Sequence, residues 1–184
     1  MLYIVRHGQT DWNAIRMLQG NTDIPLNDVG RQMARDAAAQ LEGIHLDVCY
    51  CSPLVRAKET AQLLLEGRDI PIIYDDRIRE MCYGKFEGVK YPYGDTIYTY
   101  FKHPENYHPD ITDPDAGAET FDELFARTGE FLAEVIYPQL DEGKDIIIVG
   151  HGGMNSSIVC QIRNLPIEEY WSAGIENCKV MRLI

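Results

Sequence analysis

The stretch Leu2-Tyr3-Ile4-Val5-Arg6-His7-Gly8-Gln9-Thr10 decides how the rest of the chain is read. Four apolar residues form a short run of the kind that makes a buried strand. The run passes directly into an arginine, a histidine and a glycine. Open α/β sheets place their chemistry where a strand gives way to polar, flexible residues. Histidine can act as a nucleophile as well as a base. A guanidinium beside it suits an anionic group, a phosphate above all. Alone, Arg6 and His7 are equally well read as polar residues that close a strand, so the remainder of the chain has to arbitrate.

Outward from this stretch, the chain alternates between strand and helix signals. Asn27 reads as a helix N-cap, followed by a stripe of Val29, Met33, Ala37, Ala38 and Leu41 and a stop at Gly43. Leu46 to Cys51 reads as a second strand. It breaks at Ser52-Pro53, a helix-start pair with serine as N-cap and proline at the first helical position. The helix that follows carries Leu54, Ala57, Ala61, Leu64 and Leu65 on one face and Arg56 in its first turn. Pro71 to Tyr74 is a short strand. Ala118 to Leu140 has the apolar spacing of one long amphipathic helix. Asp145 to Val149 is a buried strand that ends in Gly150-His151-Gly152-Gly153, ahead of a helix bearing Met154, Ile158, Val159 and Ile162. Pro166 to Trp171 reads as a short helix and Cys178 to Ile184 as a final edge strand. Alternation of this kind predicts an α/β fold, a three-layer α/β/α sandwich with a mostly parallel central sheet.

Between Tyr83 and Gly117 the regular patterns fade. This segment holds six of the eleven tyrosines, His103, His108 and the prolines Pro92, Pro104, Pro109 and Pro114. Long segments without clear periodicity are commonly functional or mobile. We read 83–117 as a cap or substrate rim, with one short helix near Thr96 to Phe101, within a single domain spanning 1–184.

Composition narrows the function. The chain has 184 residues, 45% of them apolar, and a formal net charge of −12. Nucleic acid and anionic membrane surfaces require basic patches, so neither is expected as a partner. Against such a charge, any cluster of arginines calls for a specific anionic ligand. Five cysteines, an odd number without a C-x-x-C pair, read as structural thiols in a reducing cytoplasm. No basic region precedes the first apolar run, so no signal peptide is expected. The longest apolar stretches fall far short of the roughly 20 residues of a membrane span.

Three strand-to-loop junctions therefore carry related cargo: Arg6 and His7 after the first, Arg56 after the second, His151 after the isoleucine strand. In a parallel sheet these ends lie on one edge. Gly152 and Gly153 open a helix whose bare N–H groups would suit a phosphate oxygen.

These residues carry a resemblance. Arg6-His7-Gly8-Gln9-Thr10-Asp11-Trp12-Asn13 resembles the R-H-G-[EQ]-[ST]-x-x-N signature of the histidine phosphatase superfamily, the phosphoglycerate mutase-like proteins. It continues through Ser52-Pro53-Leu54-Val55-Arg56-Ala57, through Arg79-Glu80 with Gly84 and Glu87-Gly88, and through His151-Gly152. The four motifs stand in the family's order across nearly the whole chain. The resemblance implies that His7 attacks phosphorus and becomes a phosphohistidine. Arg6, Arg56 and His151 would hold the equatorial oxygens, with Asn13 and Gly152 as further donors. Glu80 would protonate the leaving alkoxide and then activate water, with Asp75, Asp76 and Glu87 as its near neighbours in sequence. It implies no cofactor and no metal for this route. The expected partner is a small-molecule phosphomonoester, with a homodimer left open.

Two departures from the family pattern stand out: Asn27 replaces a usual threonine, and Gly153-Met154-Asn155 stands where many relatives place an arginine shortly after His-Gly. A metallohydrolase built on His7 and His151 is disfavoured, since no H-x-H or H-E-x-x-H pair exists and Arg6 adjoins the supposed ligand. A catalytically dead phosphate-binding module is disfavoured by the complete motif set. Phosphatase is favoured over mutase. The 83–117 segment has no arginine, and only Lys85, Lys90 and Lys102 stand against Glu87, Asp95, Glu105, Asp110, Asp113 and Asp115. A mutase needs extra cations for its substrate's carboxylate, and would need 2,3-bisphosphoglycerate as primer.

Overall fold

In the computed structural model, which describes residues 1–91 and 95–184, the opening apolar run is an inner strand of a five-stranded sheet. The strands are β1 (Leu2–Arg6), β2 (Val48–Cys51), β3 (Ile72–Tyr74), β4 (Ile146–Gly150) and β5 (Val180–Arg182), in the order β3-β2-β4-β1-β5. All pairings are parallel except β1 with β5. The register sets Arg6 beside Gly150 and Cys51 beside Val149. The carboxyl ends of β1, β4 and β2 thus lie side by side, and the three junctions singled out in the sequence share one edge.

Alternation along the strands explains why both faces are covered. Tyr3, Val5, Cys49, Cys51, Ile147 and Val149 point to one side. There they meet α2 (Asp28–Ala37) and α3 (Val55–Leu64). Leu2, Ile4, Val48, Tyr50, Ile146 and Ile148 point to the other, against α6 (Phe121–Phe131), its continuation and α8 (Gly152–Arg163). Strands buried on both faces need to be apolar throughout, as β4 is.

The helices depart from the sequence expectation where distant partners intervene. The loop after Thr10 contains a four-residue helix, α1 (Asp11–Ala14), closed by a Thr10–Asn13 capping box. In α2 the buried positions are Gly30, Ala34 and Ala37, while Val29 is 56% exposed. The buried face is turned by one residue, because Gly30 packs directly on the backbone of Gln9. Ser52 is not the N-cap of α3. That helix starts after Leu54, and Asp23 accepts the Val55 N–H at 2.7 Å. The expected single helix over 118–140 starts later, at a capping box of Thr120 and Glu123. It passes through a π-turn at Leu132–Ile136 into α7 (Tyr137–Asp141). Pro138 has no N–H to donate and its ring crowds the carbonyl four residues back, which accounts for the irregular turn.

In the 83–117 segment, α4 (Asp95–Lys102) occupies the place of the expected short helix. Pro104, Pro109 and Pro114 each open a short helical turn, the second being α5 (Pro109–Thr112), as the fixed φ of proline favours. Pro92 and Tyr93 lie outside the described residues. Tyr100 packs against Tyr83, Phe101, Tyr107, Phe121, Tyr170 and Trp171, a third core of rings beside the sheet edge. Among the described residues no helix is long and apolar enough to cross a membrane.

Candidate active site

His7 follows β1 without a break in the ladder. Its N–H donates to the Gly150 carbonyl at 2.9 Å, and its own carbonyl accepts from Asn177 Nδ2 at 2.5 Å. Its Nδ1 lies 2.7 Å from the Gly8 carbonyl. A carbonyl can only accept, so Nδ1 carries the proton and Nε2 of the neutral ring bears a lone pair. Burial, then the neighbouring Arg56 and Arg6, hold His7 well below an ordinary imidazole pKa; the Gly8 bond opposes them and is the smaller effect. The side chain is 2% exposed. A buried imidazole between two guanidiniums stays uncharged at neutral pH.

His151 stands beside it, with ring centroids 5.2 Å apart and planes at 59°. Its Nε2 is 2.7 Å from Ser52 Oγ. The same Oγ accepts the Leu54 N–H at 3.3 Å, so Ser52 links the turn ahead of α3 to the second histidine. Burial, then Arg56, keep His151 well below its usual pKa too. Arg56 is fully buried in the first turn of α3. Burial pushes its guanidinium down to about 10, still charged at neutral pH. Its Nη2 and Nη1 donate to the carbonyls of Gly20 (2.6 Å) and Thr22 (2.9 Å). Arg6 Nη1 donates to Ile175 at 3.2 Å. Arg6 Nε, Arg56 Nε and His151 Nδ1 are buried and have no hydrogen-bond partner among the described residues. Unpartnered buried groups are rare in folded proteins, and three from one cluster mark a place made for an oxygen-rich ligand.

Glu80 reaches the cluster from the loop after β3. Its Oε1 accepts from the N–H groups of Met81 (2.9 Å) and Met154 (2.9 Å), and its Oε2 from Gly153 (3.2 Å). The start of α8 was expected to offer bare N–H groups to a phosphate; instead those of Gly153 and Met154 hold the Glu80 carboxylate. Gly152 packs on the Arg6 guanidinium. A Cβ at Gly153 would stand 2.6 Å from the Tyr100 hydroxyl and 3.0 Å from Glu80 Oε1, so only glycine permits this approach. Tyr170 donates its hydroxyl to the Gly153 carbonyl at 2.6 Å.

The other acids near Glu80 in sequence are engaged elsewhere. Asp75 pairs with Arg77 at 2.8 Å and the exposed Asp76 with Arg79 at 2.7 Å. Glu87 binds backbone N–H groups of the 20–22 loop.

Sequence reasoning missed the support behind Glu80. Arg127 donates to the carbonyls of Arg77 (2.6 Å), Arg79 (2.9 Å) and Glu80 (3.3 Å), and pairs with Glu119 at 2.5 Å. Glu119 in turn accepts the Cys82 N–H at 3.0 Å. An arginine and a glutamate eight residues apart on an amphipathic stretch carry no signal of such a clamp.

A cleft of about 230 Å³ opens onto the cluster. Arg6, Asn13, Glu80 and Gly152 line it, whereas His7, Arg56 and His151 do not; Tyr83, Tyr91, Phe101 and Trp171 form an aromatic wall, and Arg16 adds a cation. Asn13 Oδ1 accepts from the Thr10 N–H and hydroxyl, both at 3.1 Å, so its amide N–H₂ is the group left to meet a ligand. No group of three or more metal-ligating side chains is arranged to hold an ion among the described residues.

The family model of the histidine phosphatase superfamily (branch 1) matches residues 2–184. The chain is 36% identical over 161 residues to the uncharacterized phosphatase PhoE of Bacillus subtilis, covering 86% of this chain and 75% of that protein. It is 30% identical over 187 residues to a 2,3-bisphosphoglycerate-dependent phosphoglycerate mutase of Gloeobacter violaceus, covering 97% and 82%. Among solved structures, Bacillus stearothermophilus YhfR superposes with a TM-score of 0.85 at 31% identity, over 97% of this chain and 88% of that one.

Proposed function

The chain belongs to the histidine phosphatase superfamily, branch 1, and from that premise we propose that it hydrolyses a small-molecule phosphomonoester through a phosphohistidine on His7. The observation that carries this reading is the state of His7. It is neutral, fixed through Nδ1 on the Gly8 carbonyl, and presents Nε2 beside two permanent cations.

In the proposed cycle, Arg6, Arg56, His151, Asn13 and Gly152 hold the phosphoryl oxygens. Most of what a protein contributes to phosphoryl transfer is positioning and charge stabilisation of this kind. Nε2 bonds to phosphorus as the P–O bond to the alcohol breaks, and Glu80 gives the leaving oxygen its proton. Glu80 then takes a proton from water, the hydroxide attacks phosphorus, and the N–P bond breaks. Inorganic phosphate leaves and His7 is neutral again. No metal and no organic cofactor enters this cycle.

Hydrolysis is preferred to mutase chemistry because 83–117 lacks arginine and contributes Tyr83, Tyr91 and Phe101 to the cleft wall. Such a rim suits a phosphomonoester with a flat or apolar body. One observation favours the mutase as second reading: Arg16 brings to the cleft a cation that the insertion does not supply.

The deciding experiment assays the purified protein with chelator present for phosphate release across a panel of phosphomonoesters. The panel includes O-phosphoserine, α-ribazole phosphate and p-nitrophenyl phosphate. Interconversion of 3- and 2-phosphoglycerate is measured alongside. Release without interconversion is expected. Efficient interconversion with little release would replace the phosphatase by the mutase.

A further inference from the structure

Glu87 has no part in the cycle above, yet its carboxylate accepts four hydrogen bonds. They come from the N–H groups of Asn21 (3.0 Å), Thr22 (2.9 Å) and Tyr83 (3.1 Å) and from the Thr22 hydroxyl (2.5 Å). Glu87 thus grips the donor side of the loop Gly20-Asn21-Thr22. The acceptor side of the same loop, the carbonyls of Gly20 and Thr22, holds the two Nη atoms of Arg56. Three residues of backbone are clasped between an anion and a cation, each bonded to the end of the peptide dipoles that suits its charge. The guanidinium is planar, and fixing both of its Nη atoms removes its rotational freedom. Its Nε, buried and without a partner among the described residues, is therefore aimed rather than free.

Gly20 is fitted to this arrangement. Its φ is +53°, and a Cβ there would run into the Glu87 carboxylate. The loop approaches Glu87 as closely as a glycine allows.

We infer that Glu87 is a positioning residue that sets the Arg56 guanidinium through the backbone of loop 20–22. Oxyanion affinity then depends on this carboxylate by way of the loop. The inference rests on the reading of Arg56 as a phosphate ligand. Two effects of Glu87 have opposite signs, which makes the inference testable. Through space, a carboxylate near an anion site repels the anion, so its removal should tighten binding. Through the loop, its removal lets Arg56 wander, so binding should weaken.

The test measures orthovanadate dissociation constants for the wild type, Glu87→Gln, Glu87→Ala, Arg56→Ala and the Glu87→Ala/Arg56→Ala double variant, with thermal midpoints recorded for each. Glu87→Ala is expected to weaken vanadate about ten-fold or more, the scale of losing charge-assisted hydrogen bonds. The isosteric Glu87→Gln keeps one acceptor and falls between, so the test stands even if the alanine variant folds poorly. In the Arg56→Ala background, Glu87→Ala should change affinity less than about two-fold, because the intermediary is gone. Tighter or unchanged binding in Glu87→Ala, or equal losses in both backgrounds, would overturn the inference. The Arg56 Nε–H resonance gives a readout independent of binding and turnover. It should be sharp in the wild type and broadened or shifted in Glu87→Gln, and an unaltered resonance would also overturn it. A wild type that ignores vanadate while this resonance responds to Glu87→Gln would count against the phosphatase reading and leave the positioning role supported.

Discussion

A nucleophilic histidine must keep one ring nitrogen free of protons and pointed at its target. Burial and two arginines keep His7 uncharged, and the Gly8 carbonyl chooses which nitrogen carries the remaining proton. His7→Ala should therefore abolish phosphate release, measured with the best substrate of the panel. A phosphoenzyme trapped by acid-free quenching should carry its phosphoryl group on Nε2; finding it on Nδ1 would contradict the hydrogen bond to Gly8. Glu80→Gln should keep oxyanion binding while turnover falls about 10²- to 10⁴-fold, the range for a lost general acid. The same burial has a cost in acid. His7 and His151 have folded-state pKa values below the roughly 6.5 of an unfolded chain. Between those values the unfolded chain binds protons that the folded chain refuses. Their contribution to stability is complete above about pH 6.5 and is lost as pH falls through that window. Thermal midpoints recorded from pH 7.5 down to 5 should fall accordingly, and a flat profile would refute the assignment. The placement of Arg6, His7, Arg56, Glu80 and His151 was legible in sequence because four of them follow strand ends or open helices within motifs. The bond from Ser52 to His151 and the clamp of Arg127 on Glu80 were not. They join residues 99 and 47 positions apart, which no local pattern encodes.

At the level of elements, helix α8 has two tasks. It packs Met154 and Ile158 on the sheet, and its first N–H groups hold the Glu80 carboxylate. A helix start is electropositive whatever binds it, and the sequence marked this turn as a place for a phosphate oxygen. It could not say that the first anion to arrive would be the protein's own. Gly153→Ala tests this seat directly. The added methyl would meet the Tyr100 hydroxyl and Glu80 Oε1, so Glu80 or the helix must move. We expect a loss of about 1–3 kcal/mol in chemical denaturation, typical of overpacking, together with a drop in turnover. Unchanged stability and turnover would show that the seat tolerates a side chain. Helix boundaries were legible where the cap is local, as with Asn27. They were misread where it is remote, as with Asp23 on α3, or where one proline disturbs a regular pattern, as at Pro138.

Over the whole molecule, the sheet order is what brings the cluster together. Apolar runs announced the strands, and the parallel arrangement followed from their alternation with helices. Which strands are neighbours had to be seen, because pairing is a long-range property. The cysteines follow from the same layering. Cys49, Cys51, Cys160 and Cys178 are buried, and burial raises their thiols, Cys49 and Cys178 to about 12 and Cys160 to about 11. Cys82 alone is half-exposed. Alkylation of the native protein should modify Cys82 only, and guanidinium should release all five thiols. Rapid modification of a second thiol in the native state would show the layers to be looser than described.

β1, the strand that leads to His7, pairs only with strands that follow it by more than a hundred residues. β1 has no partner until residues 146–150 exist, and its other edge stays open until 180–182 follow. Arg6 and His7 are held in place by Ile175, Asn177 and Cys178. During synthesis, His7 therefore stands beside an uncovered apolar run until those residues are made. An apolar segment left unpaired for that long is a natural station for a chaperone.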